Sequence, residues 1–505
     1  MESFLSAVLG ELASRSINFF ISKSSKPTTV LQVGVEGSLQ RALFRAQVIV
    51  DEAAGRHIKN QAMLRQLDML RDAIYRGSYI LDSFRYKPQD EEEGGGTDQI
   101  VSRSLLLSRL NSFKGICGGS PNKRKLLVLD QQLQESLDNL SSVLHDVKET
   151  AVFLMSYPRL YSQPYSVQLM LDNCMFGRQT ETQAVFSFLL HTQPHGSKEL
   201  EILPIVGPAK VGKSTFVAHV CMNERVRDNF SEILFLRDHD LATYAADLST
   251  FREGCETEHR NHKSNSNKDR GLLVIVDLAG DINEDAWNML YSSCKQRMPS
   301  SSKILVTSRS DKIIKFGTTR ALDLKYLSDE EFWYFFKNLT FGSMDPKMHP
   351  RLAHVAMEIA KMLRGCFVGA NAYARMLRDN FDIHFWCKVL AFLRENIQKH
   401  VSKFGAHPFD LIKQNRPIHV GRMATPFEEC VRYCGHDSSS QEEVPKIRLL
   451  DVIYGSVKAF GELEVLVWRS RIPPYYSYVV SLEIRELRTR AAKRKRSIRN
   501  EITPC

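Results

Sequence analysis

The sequence predicts a parallel α/β sheet flanked by helices, set behind an N-terminal helical bundle. Three observations carry this. Between residues 200 and 340, short β-branched runs alternate with helical patterns, the mark of a parallel sheet covered on both faces. Before residue 157 the apolar residues recur at helical spacing. A glycine-rich turn joins the first of the short runs to the helix behind it.

Taken in order, residues 2–24 place Phe4, Val8 and Leu12 four apart, with Ile17, Phe20 and Ile21 following. Residues 37–84 repeat the stripe through Leu39, Leu43, Ala46, Val50, Leu64, Leu67, Leu70, Ile74 and Leu81. The stretch 86–99, with Lys87-Pro88 and Glu91 to Gly96, cannot pack a core and reads as a loop. A short helix near 100–113, a loop at Gly118 to Pro121 and a long helix over 125–156 come next. Such stripes need partners, so residues 1–156 read as an antiparallel bundle, with 157–175 as a linker. The α/β pattern then runs through 200–206, 213–227, 232–236, 271–277, 285–296, 302–307 and 328–339, giving a domain over 176–342. Residues 252–270 are polar and aperiodic, and read as an exposed loop. Residues 343–400 are helical again. Residues 401–505 read as mixed, with β-like stretches at 463–467 and 478–484 before a basic end.

The chain has 505 residues, which at about 100–200 residues per domain implies three or four units. Hydrophobic residues make up 43% and charged residues 25%, which excludes global disorder and collagen-like repeats. No apolar run approaches the roughly 18–20 residues that span a bilayer. The start lacks a basic region followed by an apolar core, so no secretory signal is expected. The ten cysteines are scattered, and a reducing compartment, cytoplasmic or nuclear, is expected. The net charge of +10 is explained by one block of eight cations: Arg485, Arg488, Arg490, Lys493, Arg494, Lys495, Arg496 and Arg499. A nucleic-acid surface is therefore not required. Lys493 to Arg496 has the composition of a nuclear import signal, and equally of a solvated tail. Cys430, Cys434 and His436 are metal-ligand types without a second pair at zinc-like spacing.

The chemistry is carried by Gly207-Pro-Ala-Lys210-Val211-Gly212-Lys213-Ser214-Thr215, a complete G-x-x-x-x-G-K-S phosphate loop between a strand and a helix. Its glycines let backbone N–H groups surround a phosphate, and the helix N-terminus adds positive potential. Lys213 would reach the β and γ phosphates, and the Ser214 hydroxyl would ligate Mg²⁺. The run 272–276 ends in Asp277, an acid placed either to meet that metal or merely to cap the next turn of chain. The run 303–307 ends in Ser308-Arg309, where a cation either senses the terminal phosphate or lies at the surface.

With these residues in hand, the chain resembles plant intracellular immune receptors of the coiled-coil NB-ARC class, over roughly residues 1–395. Leu67 to Tyr75, then Ile80-Leu81-Asp82-Ser83-Phe84, is similar to the helix carrying the acidic signature of Rx-type N-terminal domains. Phe176-Gly177-Arg178 with Glu181 resembles the motif that opens the nucleotide domain near the adenine. Ser302 to Arg309 resembles the sensor strand, and Leu324 to Ser328 with Phe332-Trp333 the segment after it. The resemblance implies an α/β P-loop NTPase that binds ADP or ATP with Mg²⁺, with ADP favouring a closed state and ATP an open, oligomerising one. It implies defence signalling through the bundle, with an immune receptor, another signalling protein or a second copy as partner. The family's leucine-rich repeats are not visible in this sequence. The family's second motif ends in two adjacent acids, whereas here Leu278 comes after Asp277, so at most weak ATP hydrolysis is expected. The acidic pair of the N-terminal signature is replaced by Ser78-Tyr79, and the segment Gly365 to Gly369 lacks the expected proline. No Met-His-Asp triplet occurs, and Gly435-His436-Asp437 reads as coincidence. Two alternatives stand beside the switch: a non-cycling scaffold acting through its bundle, and a P-loop ATPase of another family.

Overall fold

The computed structural model describes residues 32–54, 56, 58, 60–86, 121–157, 175–191, 200–237, 256–260, 271–414, 416–423, 428–438, 444–455, 457, 461–470 and 477–486. The expected helices at 2–24 and 100–113, most of the loop at 86–99, and the basic block beyond Glu486 lie outside the described residues. No described helix is long and apolar enough to cross a membrane.

The chain divides into two compact units. The first joins the helices of the N-terminal part to residues 327–362 and 374–395. Helices Gln32–Ala54, Gln61–Arg85, Pro121–Asp146 and Lys148–Leu154 close around Leu39, Ala46, Leu64, Leu67, Leu70, Leu133 and Leu140. The predicted single helix over 125–156 is interrupted at Val147, which leaves the α region at φ −87° and ψ 0°. Asn60 starts the second helix, its side chain accepting from the N–H groups of Ala62 and Met63. Ser328 and Glu331 form a reciprocal capping box on helix Asp329–Phe341. That helix packs on Gln61–Arg85 through one buried carboxylate: Asp82 accepts from Trp333 Nε1 at 2.9 Å and Lys337 Nζ at 2.5 Å. Tyr75 and Tyr334 meet beside it at 5.3 Å.

The second unit is built on a six-stranded sheet. In sequence order its strands are β1 Glu201–Val206, β2 Glu232–Arg237, β3 Glu256–Arg260, β4 Leu272–Asp277, β5 Lys303–Ser308 and β6 Leu322–Asp323, arranged spatially as β3-β2-β4-β5-β1-β6. Five strands are parallel, as expected, and β3 adds an antiparallel edge on β2. The reading of 252–270 as loop is corrected at 256–260. A polar edge strand is held by backbone bonds and carries no apolar alternation to reveal it. Pro204, inside β1, is tolerated for a local reason. Ile202 and Val206 face residues 318–324, so the imide nitrogen between them faces the same side. There β6 pairs with Ile205 and Val206 alone, and Pro204 leaves no ladder bond broken.

Side-chain parity divides the core. Leu203, Ile205, Leu273, Ile275 and Leu305 face one side, packed on Phe216, Val217 and Val220 of helix Lys213–Cys221. Ile202, Val274, Val276, Ile304 and Val306 face the other, on Trp287 and Leu290 of helix Glu284–Arg297. A second sheet in this unit has the order β7-β8-β10-β9, all antiparallel, from β7 Ile418–Gly421, β8 Glu428–Ser438, β9 Gly461–Arg469 and β10 Ser477–Glu486. Gly435, His436 and Asp437 lie in β8, opposite Val480, Val479 and Tyr478.

Candidate functional site

The phosphate loop leaves the C-terminal end of β1, between its neighbours β5 and β6. Gly207 is required there by space: a Cβ would fall 2.4 Å from the Leu324 carbonyl oxygen. Leu324 N–H in turn donates to Val206 O at 2.8 Å, so this crowding is part of the sheet edge. Gly212 is required by conformation, at φ +93°, with open space around the missing side chain. It turns the chain into helix Lys213–Cys221 and presents that helix's first N–H groups to the hollow of the loop. Lys210 adopts φ +57° without being glycine, a conformation costing on the order of 1 kcal/mol. Val211 is buried in the core below, which anchors the loop from inside.

Lys213 is buried, and its Nζ donates to Gly207 O at 2.7 Å and Pro208 O at 2.9 Å. Burial lowers its pKa to about 8, against an upward pull from Asp277 and with a downward push from Arg309. The three charges therefore share one electrostatic neighbourhood. Asp277 ends β4 beside Thr307 in β5 and accepts a hydrogen bond from the Thr307 hydroxyl. Ser214 and Arg309 are exposed, and Thr215 is half-buried. Ser308, just before Arg309, is tied by its hydroxyl to Gly280 O at 2.6 Å.

The opening motif sits on the same unit. Gly177 turns at φ +67°. Arg178 is buried, donating to Lys325 O at 2.5 Å and Glu181 Oε1 at 3.1 Å. Its guanidinium thus pins the chain leaving β6. One residue on, the Tyr326 hydroxyl donates a hydrogen bond to Ala209 O in the phosphate loop at 2.6 Å. Lys413 lies 4.5 Å over the Tyr326 ring. Lys210 lies 5.1 Å over the ring of Tyr478 in β10, and the Tyr478 hydroxyl accepts from the buried Arg432 at 3.0 Å. Sequence reasoning missed Tyr326, Thr307 and Tyr478 as parts of the site. The first two lie inside motifs that were visible, while nothing in the sequence ties Tyr478 to a loop more than 260 residues earlier.

The donor set fits a magnesium-bound phosphate. A crowding-dependent glycine and a left-handed glycine shape the cradle, and a lysine already satisfied by carbonyl oxygens in the loop is placed to exchange them for an anion. Ser214 and Asp277 are the hydroxyl and carboxylate that would hold the metal.

Comparison with known proteins gives a consistent picture. Residues 178–345 match the model of the NB-ARC domain. The chain is 21% identical to the "Putative disease resistance protein RGA1" of Solanum bulbocastanum, over 76% of this chain and 38% of that protein. It is 21% identical to the "Disease resistance protein RGA2" of the same species, over 92% and 45%. It is 22% identical to the "Putative disease resistance RPP13-like protein 1" of Arabidopsis thaliana, over 77% and 37%. It thus spans less than half the length of these relatives. Among solved structures, that of C. elegans PCH-2 matches 44% of this chain and 71% of its own, at 12% identity and a TM-score of 0.29, too low to carry an argument. Residues 178–345 thus form an NB-ARC domain, and the chain around them is similar to plant disease resistance proteins.

Proposed function

We propose that this chain is a nucleotide-dependent switch in plant defence signalling, holding ADP or ATP with Mg²⁺ in the phosphate loop. The observation that carries the reading is the loop itself: Gly207 and Gly212 shaped for an anion, with buried Lys213 at its centre. In this reading Lys213 and the backbone N–H groups bind the phosphates, and Ser214 and Asp277 hold the metal, which neutralises phosphate charge. Arg309 completes the phosphate end. Gly177 and Arg178 shape the adenine end from the chain next to it. A nucleotide shifts the protein between states by no more than its difference in affinity for them.

The domain plan belongs to the same proposal: a bundle at 1–156, a linker at 157–175, the nucleotide domain at 176–342, helices at 343–400 and a C-terminal part at 401–505. The bundle is the element that engages an immune receptor, another signalling protein or a second copy. Cytoplasmic residence, with nuclear entry through Lys493 to Arg496, completes it. The test is titration of a fluorescent ADP analogue against wild type and Lys213→Ala. Saturable binding lost in the variant supports the reading, and equal binding by both contradicts it.

A second reading, a scaffold that binds nucleotide without turning it over, is favoured by Leu278. That side chain lies 3% exposed in the cluster of Val276, Trp287 and Leu290. The position after Asp277 therefore faces the apolar core, and no second carboxylate stands there to activate water. Loss of an aligned general base removes about 10²–10⁴ in rate.

A further inference from the structure

We propose that Thr307 is a positioning residue for the metal: its hydroxyl holds Asp277 off Lys213 and aims the free carboxylate oxygen at the Mg²⁺ site. The inference rests on the nucleotide reading above and adds a residue which that reading does not use.

The argument begins with register. Asp277 and Thr307 are paired residues of parallel neighbours β4 and β5, and Leu278 N–H donates to Thr307 O at 2.9 Å. The backbone on both sides of the acid is thus fixed. Both residues continue the parity of Ile275 and Leu305, so their side chains stand on the face packed by helix Lys213–Cys221, the helix that begins with Lys213 and Ser214. Leu278 has the opposite parity and belongs to the opposite core. Asp277 is therefore the one carboxylate that the end of β4 offers to the metal.

A lone carboxylate beside a buried lysine has an obvious wrong partner. Asp277 raises the proton affinity of Lys213, so the two are within electrostatic reach. An ion pair between them would neutralise the charge meant for phosphate and occupy the oxygen meant for the metal. The structure holds no such pair. Lys213 Nζ is spent on Gly207 O and Pro208 O, and Asp277 Oδ1 on Thr307. Thr307 suits this task. It is fully buried, and β-branching leaves it few rotamers, so its hydroxyl is a rigid donor. With Oδ1 held there, Oδ2 remains for the metal.

The test is Mg²⁺ titration of fluorescent-ADP binding to the full chain, for wild type, Thr307→Val and Thr307→Ser, with an EDTA arm. Circular dichroism checks that each variant is folded. The expected result is a Mg²⁺ midpoint raised about tenfold in Thr307→Val, the loss of one oriented hydrogen bond of about 1.4 kcal/mol, and restored in Thr307→Ser. The Asp277→Asn, Thr307→Val double variant is expected to match Asp277→Asn alone, because the threonine acts through the acid. A midpoint unchanged in Thr307→Val, or a Thr307→Ser as impaired as the valine, overturns the proposal while leaving the nucleotide reading intact. Wild type that binds no nucleotide overturns both.

Discussion

The two halves of the candidate site differ sharply, although they lie in one parallel sheet. The phosphate half, at the end of β1, is complete and reinforced: Tyr326 and Tyr478 brace its residues 209 and 210 from two directions. The half proposed to hold the metal, at the end of β4, offers Asp277, hydrogen-bonded by the Thr307 hydroxyl. On the proposed reading, this difference separates nucleotide binding from turnover. A phosphate cradle needs backbone N–H groups and one cation, which a single loop supplies. A second acid after Asp277 would be a candidate base for hydrolysis, and here that position is Leu278, buried in the core.

The largest effect expected from breaking this contrast comes from restoring the acid. Leu278→Glu is expected to cost about 3–5 kcal/mol in urea unfolding, from lost apolar burial plus a charge placed in the core, and to add no ATP turnover. An active, stable Leu278→Glu protein would mean that the position faces the nucleotide after all. On the phosphate side, Lys213→Ala is expected to weaken ADP binding about 100-fold, for two charge-assisted hydrogen bonds at about 1.5 kcal/mol each, read by fluorescence titration. A smaller effect is expected from pH. With its pKa lowered to about 8, Lys213 is charged at pH 7 and loses its proton as pH rises through 8. ADP affinity is therefore expected to fall about tenfold at most between pH 7 and pH 9. Lys213→Arg, charged throughout, is expected to bind with a flatter pH profile. The smallest effect is at Lys210. Lys210→Gly relieves the left-handed strain and loses the contact with Tyr478, two opposing changes of about 1 kcal/mol each. Its melting temperature is expected to stay within a few degrees of wild type. Lys210→Ala, which keeps the strain and loses the contact, is expected to melt lower.

Much of this architecture was legible in the sequence because its signals are local. The loop is nine consecutive residues, and the strands at 201–206, 272–277 and 303–308 are each built on a short apolar run that ends where the candidate site begins. The elements that escaped were non-local or short. β3 has no apolar face to announce it, and β6 is two residues long. β8 carries Glu, Arg, Gly, His and Asp in place of alternation and is identified by its pairing with β7 and β10. Arg178 was assigned to the adenine by resemblance, and the structure shows its guanidinium engaged with Lys325 O and Glu181. Tyr478 reaches Lys210 through a contact that no local pattern could announce.

The most direct measurement is the nucleotide content of the purified full chain, released by denaturation and identified by chromatography. The account predicts an adenine nucleotide at about one equivalent in wild type and a trace in Lys213→Ala. Wild type that is empty, and stays so when incubated with excess ADP and Mg²⁺, would contradict it.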